Sequence, residues 1–171
     1  MSAHKKVIPK VSHPAYPGEQ SFLAMRILIH PNIKLAKTHP SKKKDSANSS
    51  ANILESMFML KANRSSYGKG STTPGGSVPL SLDMLRGMLE LAKTYSFHVS
   101  EIAGGEHSKH SRHYAGIAFD VDTINGKPVS AHHKQVLAFE KKCRALGATE
   151  VLGPGYPGHS GHVHCGWPRP H

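Results

Sequence analysis

Ten of the fourteen histidines fall between His98 and His171, and their spacing limits how the chain can fold. His162 and His164 stand two apart in an apolar, strand-like stretch, so they project on one face of a strand. His113 sits on a loop that enters a second strand, and Asp120 lies within that strand, with Gly116 between them letting the backbone bend. A zinc hydrolase site takes three nitrogen or oxygen ligands and keeps a fourth position open for water. For these side chains to share one ion, two strands some 40 residues apart in sequence must come together. Taken singly, each residue has a plainer reading: His113 as a loop histidine at the surface, His164 as a hydrogen-bonded core histidine.

The neighbouring polar residues read more simply. His107, His110 and His113 recur every three residues, and the first two fit a flexible polar loop. Asp122 reads as a hydrogen-bonding partner or an exposed carboxylate. Glu150 either orients a site histidine or only sits on its strand, and the second is favoured. His132 and His133 open a helix and read as solvated. Tyr156 either lines a cleft or braces a Gly/Pro loop. Cys165 should point away from the ligand face into the core.

Around these motifs the chain alternates helix and strand signals without the long βα repetition of a doubly wound sheet. Ser81 can cap a helix to about Tyr95, with Leu82, Leu85, Leu89 and Ala92 on one face. Phe97 to Ala103 reads as a strand, and Ile117, Phe119 and Val121 alternate with Ala118, Asp120 and Asp122 as a second. Asn125-Gly126 is a strong hairpin signal. Ser130 caps a further helix to about Leu146, with Val136, Leu137, Phe139 and Cys143 inward and Gly147 as its stop. Thr149 to Leu152 and His162 to Trp167 complete the strands. The expected class is α+β, a small, mainly antiparallel sheet with flanking helices.

The front of the chain differs in composition. Pro9, Pro14, Pro17, Pro31 and Pro40 precede the run Ser41-Lys42-Lys43-Lys44 and the serine-rich stretch to Ser50. Residues 1–50 hold nine basic and two acidic side chains, so most of the formal +11 charge sits there. They read as an extended basic arm and linker, with Phe22 to Ile29 as a short strand or helix that docks on the body. The domain is expected over 51–171, with its motif-bearing core at 81–167. Asn52 to Asn63 places Ile53, Leu54, Met57, Phe58 and Leu60 on a broad helical face, with Asn52 or Ser50 as N-cap. Such a charge balance favours polyanionic partners: nucleic acid, acidic lipid or an anionic cell-wall polymer. Two cysteines are too few for a disulfide scaffold or a structural zinc knuckle. No apolar run approaches the roughly 20 residues of a membrane helix, and the start MSAHKKVIPK has no apolar segment of a secretory signal.

The pattern S-x-H-x-x-G-x-A-x-D, present at Ser111, His113, Gly116, Ala118 and Asp120, followed by a strand bearing H-x-H, resembles the zinc D-Ala-D-Ala carboxypeptidase group. That group is related in fold to lysostaphin-type and murein endopeptidases and to the hedgehog domain. The resemblance covers about Ser81 to Trp167 and implies a hedgehog/DD-peptidase-like zinc fold. It implies Zn2+ held by His113, Asp120 and His164. Many members carry a catalytic Glu three residues before the last ligand, where this chain has Gly161. The H-x-H branches place a histidine two residues before it, which makes His162 the expected general base. The upstream arginine of the group has no counterpart in Gly104-Gly105-Glu106-His107-Ser108; Arg112, Lys109 or His107 is the candidate to stand in for it, Arg112 and Tyr156 are the candidates for substrate contacts, and endopeptidase action gains over carboxypeptidase action.

The implied activity is hydrolysis of stem or cross-link peptides of bacterial peptidoglycan. It would take place in the periplasm or cell wall after lysis or a non-standard export route, with an immunity or delivery protein as a further partner. Two other readings stay open: a zinc-binding domain without catalysis, and a basic nucleic-acid-binding protein in which the histidines are incidental.

Overall fold

A computed structural model describes residues 15–169 of the chain. Pro9, Pro14 and the other residues of the expected arm up to 14 lie outside the described residues, as does His171. The described part is α+β. Four helices, α1 (Glu19–Ile29), α2 (Ser49–Met57), α3 (Leu82–Ala92) and α4 (Val136–Ala145), accompany eight short strands. These strands are β1 (Ile33–Leu35), β2 (Ala62–Asn63), β3 (Ser77–Val78), β4 (Phe97–Glu101), β5 (Ala118–Ile124), β6 (Lys127–Pro128), β7 (Glu150–Leu152) and β8 (Val163–Gly166). The main sheet runs β1-β4-β5-β8-β7, with β6 paired to β5 at one end. Its pairings are antiparallel except β1 with β4.

The local signals explain most of these elements. Ser81 caps α3, its hydroxyl accepting from the Met84 amide at 3.2 Å. Met84, Leu85, Met88, Leu91 and Ala92 of that helix are completely buried. The Asn125-Gly126 pair turns β5 into β6 with both residues at positive φ (50° and 77°), the geometry that favours these residue types in a tight hairpin. Phe97, Phe119 and Trp167 stack in sequence through the core, with ring centroids 6.4 and 5.9 Å apart.

Four expectations are corrected. First, the boundary at residue 50 has no counterpart in the packing. Phe22 to Ile29 lies in α1, whose Leu23, Ala24 and Ile27 are buried in the core, and β1 joins the main sheet beside β4. The prolines set the ends of these elements, while the apolar residues between them fill the core. Second, α2 is capped by Asn48, whose side chain accepts from the Ala51 amide at 2.9 Å, rather than by Ser50 or Asn52. The buried Asn52 instead ties the helix to the loop after β4, accepting from the Ala103 amide at 2.9 Å. Third, the apolar face expected over Asn52 to Asn63 is only partly used, with Ile53 buried but Leu54, Phe58 and Leu60 exposed. Fourth, α4 starts at Val136, not near Ser130, and Leu137 is 71% exposed, because the helix turns only Val136, Phe139, Glu140 and Cys143 inward.

A buried charged cluster joins the N-terminal segment to the sheet. His39 Nδ1 lies 2.7 and 2.9 Å from the two Glu101 oxygens, and its Nε2 lies 2.6 Å from Asp45 Oδ1. Ser65 Oγ donates to the other Asp45 oxygen at 2.7 Å and accepts from the Gly105 amide at 2.9 Å. Next to it, Gly104 allows close backbone contact. A Cβ at that position would stand 1.9 Å from the Ala47 carbonyl oxygen.

Gly104→Ala is therefore expected to lower stability by about 2–4 kcal/mol, since backbone rather than a movable side chain must give way, as measured by urea unfolding. A second expectation concerns pH. Hydrogen bonding to Glu101 outweighs burial and raises the His39 pKa from 6.5 to about 9. A raised folded-state pKa stabilises fully below the unfolded value and less as pH climbs. Between pH 6.5 and about 9 the protein should thus lose on the order of 2 kcal/mol of this contribution, and unfolding of His39→Gln should lack that component.

Candidate metal centre

Strand pairing creates the site. In the antiparallel pair β5–β8, Asp120 is the direct cross-strand partner of His164, so their side chains share a face of the sheet. On the other side of β5, Glu101 of β4 is in register with the same Asp120. His113 reaches this point from a tight turn closed by the Gly116 amide donating to the His113 carbonyl at 3.0 Å. Gly116 sits at φ 71°, and a Cβ there would come 2.3 Å from the Pro79 carbonyl oxygen. Glycine therefore permits both the bend and the close approach that bring His113 over β5.

Three donor atoms face one another. His113 Nε2 is 3.0 Å from Asp120 Oδ1, His164 Nδ1 is 3.1 Å from the same oxygen, and the two nitrogens are 3.1 Å apart. Each ring has its other nitrogen committed elsewhere. His113 Nδ1 donates to the Ile102 carbonyl at 2.6 Å, and His164 Nε2 donates to Glu150 Oε1 at 2.7 Å. That network assigns the tautomers, and it leaves a lone pair on each of the two facing nitrogens. All three residues are at most 6% exposed. Burial alone would push the Asp120 carboxyl up, but the His113 and His164 imidazoles hold it well below the usual carboxylate range. Two imidazole nitrogens and a carboxylate oxygen facing one another at these separations are the donor types that Zn2+ accepts.

His107 is a fourth donor in reach. Its ring stacks on His113, with centroids 3.9 Å apart and planes at 14°, and its Nε2 donates to the Gly104 carbonyl at 2.8 Å. Burial pulls its pKa down to about 3, so it is a neutral imidazole with Nδ1 unprotonated. His107, His113 and Asp120 offer ligand atoms within 4.8 Å of one another, a group that can hold a metal ion. The reading of His107 as part of a flexible loop is thereby corrected. Its backbone amide donates to Tyr114 Oη at 2.7 Å, and its carbonyl accepts from Thr72 Oγ1, so the loop is tied down.

The remaining predicted residues divide. His162 lines the same cleft as the metal cluster, a cavity of about 860 Å³, with its Nε2 3.9 Å from Asp120 Oδ2. Burial lowers its pKa below 6.5. Arg112 borders the cleft, but it is engaged with the frame. Its Nη1 donates to Thr149 Oγ1 at 2.7 Å and to the Trp167 carbonyl at 2.8 Å, and its Nε lies 3.5 Å from Glu150 Oε2. Tyr156 is half exposed on the turn after Gly153 and is not among the residues lining the cleft. Of the two readings of Glu150, the less favoured one fits: its carboxylate accepts from His164 Nε2. No periodicity could have shown this, because the contact depends on how β7 pairs with β8. Cys165 lies in the core with Cys143, both as free thiols.

A carboxylate that fixes a ligating imidazole commonly changes metal affinity about 10–100-fold when lost. Glu150→Gln keeps the shape but removes the charge, and it is expected to weaken Zn2+ binding about tenfold in chelator competition.

No family model matches the chain, and no solved structure matches it. Among curated proteins, it is similar to the zinc D-Ala-D-Ala carboxypeptidase of Streptomyces albus G, with 31% identity over 122 residues, which make up 71% of this chain and 38% of that protein. The chain therefore spans well under half the length of the relative it matches. This distant relative is a zinc carboxypeptidase, and the chain itself has a His107/His113/Asp120 group that could hold a metal ion.

Proposed function

We propose that this chain is a zinc-dependent peptidase of the D-Ala-D-Ala carboxypeptidase group, with a fold of that group's hedgehog-related type, acting on stem or cross-link peptides of bacterial peptidoglycan. The observation that carries this reading is the convergence of His113 Nε2, His164 Nδ1 and Asp120 Oδ1 within 3.0–3.1 Å, each imidazole having its N–H directed elsewhere. In this reading His113, Asp120 and His164 hold Zn2+. When bound, zinc polarises a peptide carbonyl and brings the pKa of a coordinated water to about 7.

The chain's own residues do the rest. His162 is the general base: it is neutral near pH 7, borders the cleft, and stands beside the unused Asp120 oxygen. It takes a proton from the attacking water and returns it to the leaving amine. Gly161 occupies the position where many members of the group carry a glutamate, so the proton transfer falls to this histidine. Glu150 and the Ile102 carbonyl keep the two ligating rings in the required tautomer. The surplus of positive charge favours retention on an anionic wall polymer. The site of action in this reading is the periplasm or cell wall, reached by lysis or non-standard export.

A second reading, a zinc-binding domain without catalysis, draws on His107. Four protein donors close a zinc site, as in structural centres, whereas three leave it open.

One experiment separates these readings. The full chain, loaded with one equivalent of Zn2+, is incubated with purified peptidoglycan and the fragments are identified by mass spectrometry. New peptide termini are expected, together with one zinc per chain by elemental analysis. His113→Ala should lose stoichiometric zinc and at least about 1,000-fold in rate, the scale of losing the electrostatic stabilisation of the reaction. Cleavage that persists in His113→Ala or after chelation refutes the metal mechanism. Tightly bound zinc with no cleavage favours the second reading.

A further inference from the structure

The His39–Glu101–Asp45 cluster plays no part in the function proposed above, yet it adjoins the metal centre. Glu101 is 5% exposed, lines the cleft, and pairs in register with Asp120. Its two oxygens receive His39 Nδ1 at 2.7 and 2.9 Å, and Asp45 grips the far side of the ring at 2.6 Å. Four separate parts of the chain, at residues 39, 45, 65 and 101, are brought together to build this arrangement. Burying the Glu101 carboxylate beside the His39 imidazolium loses much of their attraction to desolvation, and an apolar pair in that place often stabilises as well. A carboxylate also offers about four lone-pair positions, and the His39 N–H leaves most of them unused.

We propose that Glu101 is a substrate-holding residue of the candidate site, its carboxylate accepting an N–H group of the bound peptide beside the metal centre, with His39 and Asp45 as positioning residues behind it. The inference rests on the reading of the cleft as a peptide site. It gives the cleft a second anchoring point on the β4 side of Asp120, opposite His164 and Glu150 on the β8 and β7 side. His39 fixes the Glu101 rotamer by donating to both oxygens, and Asp45, braced by Ser65 Oγ and the Ala47 amide, fixes His39. A peptide bound across the sheet would lie between a carboxylate that accepts its N–H and a metal that takes its carbonyl.

The test uses the full chain loaded with Zn2+ and a synthetic peptidoglycan stem pentapeptide. Binding is measured by calorimetry in a His162→Ala background, where turnover is slowed, and kinetics are measured with His162 restored. Glu101→Gln is expected to weaken binding about 10–100-fold, in line with loss of a charged hydrogen bond, and to raise KM far more than it lowers kcat. Zinc affinity should stay within about twofold of the parent, as a residue outside the metal ligands requires. His39→Gln should show a smaller loss of the same kind, and the double variant should be no worse than Glu101→Gln alone, because His39 acts through Glu101. Unchanged peptide affinity in Glu101→Gln, or additive losses in the double variant, would overturn the proposal. A check that needs no Glu101 variant uses the 13C side-chain carboxyl signal of Glu101 in the His162→Ala protein. That signal should move on saturation with the pentapeptide, and a stationary signal overturns the proposal. If the parent cleaves peptidoglycan while Glu101→Gln binds normally, only this inference fails. If the parent binds zinc but neither binds nor cleaves peptide, the peptide-site reading fails with it.

Discussion

The pairing of β5 with β8 sets Asp120 opposite His164, and nearly everything about the site depends on that register. Side chains alternate faces along a strand, so a slip of one residue would turn His164 into the core and bring Cys165 into the cleft. The core guards against this slip. Phe119, Val121, Val163 and Cys165 are all completely buried, and moving them to the cleft face would expose a large apolar area. The packing that stabilises the sheet is therefore also what aligns the polar donors on its other face.

Around this alignment the structure holds its polar groups from behind. The Ile102 carbonyl and Glu150 each receive an N–H from a site histidine, and Arg112 braces Glu150 while bonded to Thr149 and Trp167. Each outer contact removes one rotational or tautomeric choice from a ring that faces Asp120. A site held this way is preorganised, and the ordering is already supplied by folding. The same logic extends to the β4 side, where His39 and Asp45 fix Glu101.

Much of this was legible in the residues. Ser81 announced its helix, Asn125-Gly126 its hairpin, and the alternation from Ile117 to Val121 its strand, because each signal is local and each structure is held by local bonds. His113, Gly116, Asp120 and the H-x-H pair also stood out, because side-chain direction along a strand and a glycine-permitted bend are local properties. The failures have a common cause. Residues 15–50 read as an arm because proline and lysine are frequent there, but Leu23, Ala24 and Ile27 suffice to bury α1 against the rest. Leu137 looked inward by helical spacing, although the orientation of α4 is set by what it packs on.

What the sequence determined by itself was the set of strands and turns that carry donor atoms, since side-chain direction along a strand follows from the backbone alone. What only the tertiary structure decided was which distant side chains stand behind those donors. Glu150 meets His164 through the β7–β8 register, His107 stacks on His113 through its loop, and Glu101 meets His39 from a segment more than 60 residues earlier. Such contacts arise between elements whose relative placement is fixed by packing of the whole core, and no local pattern of residues encodes them.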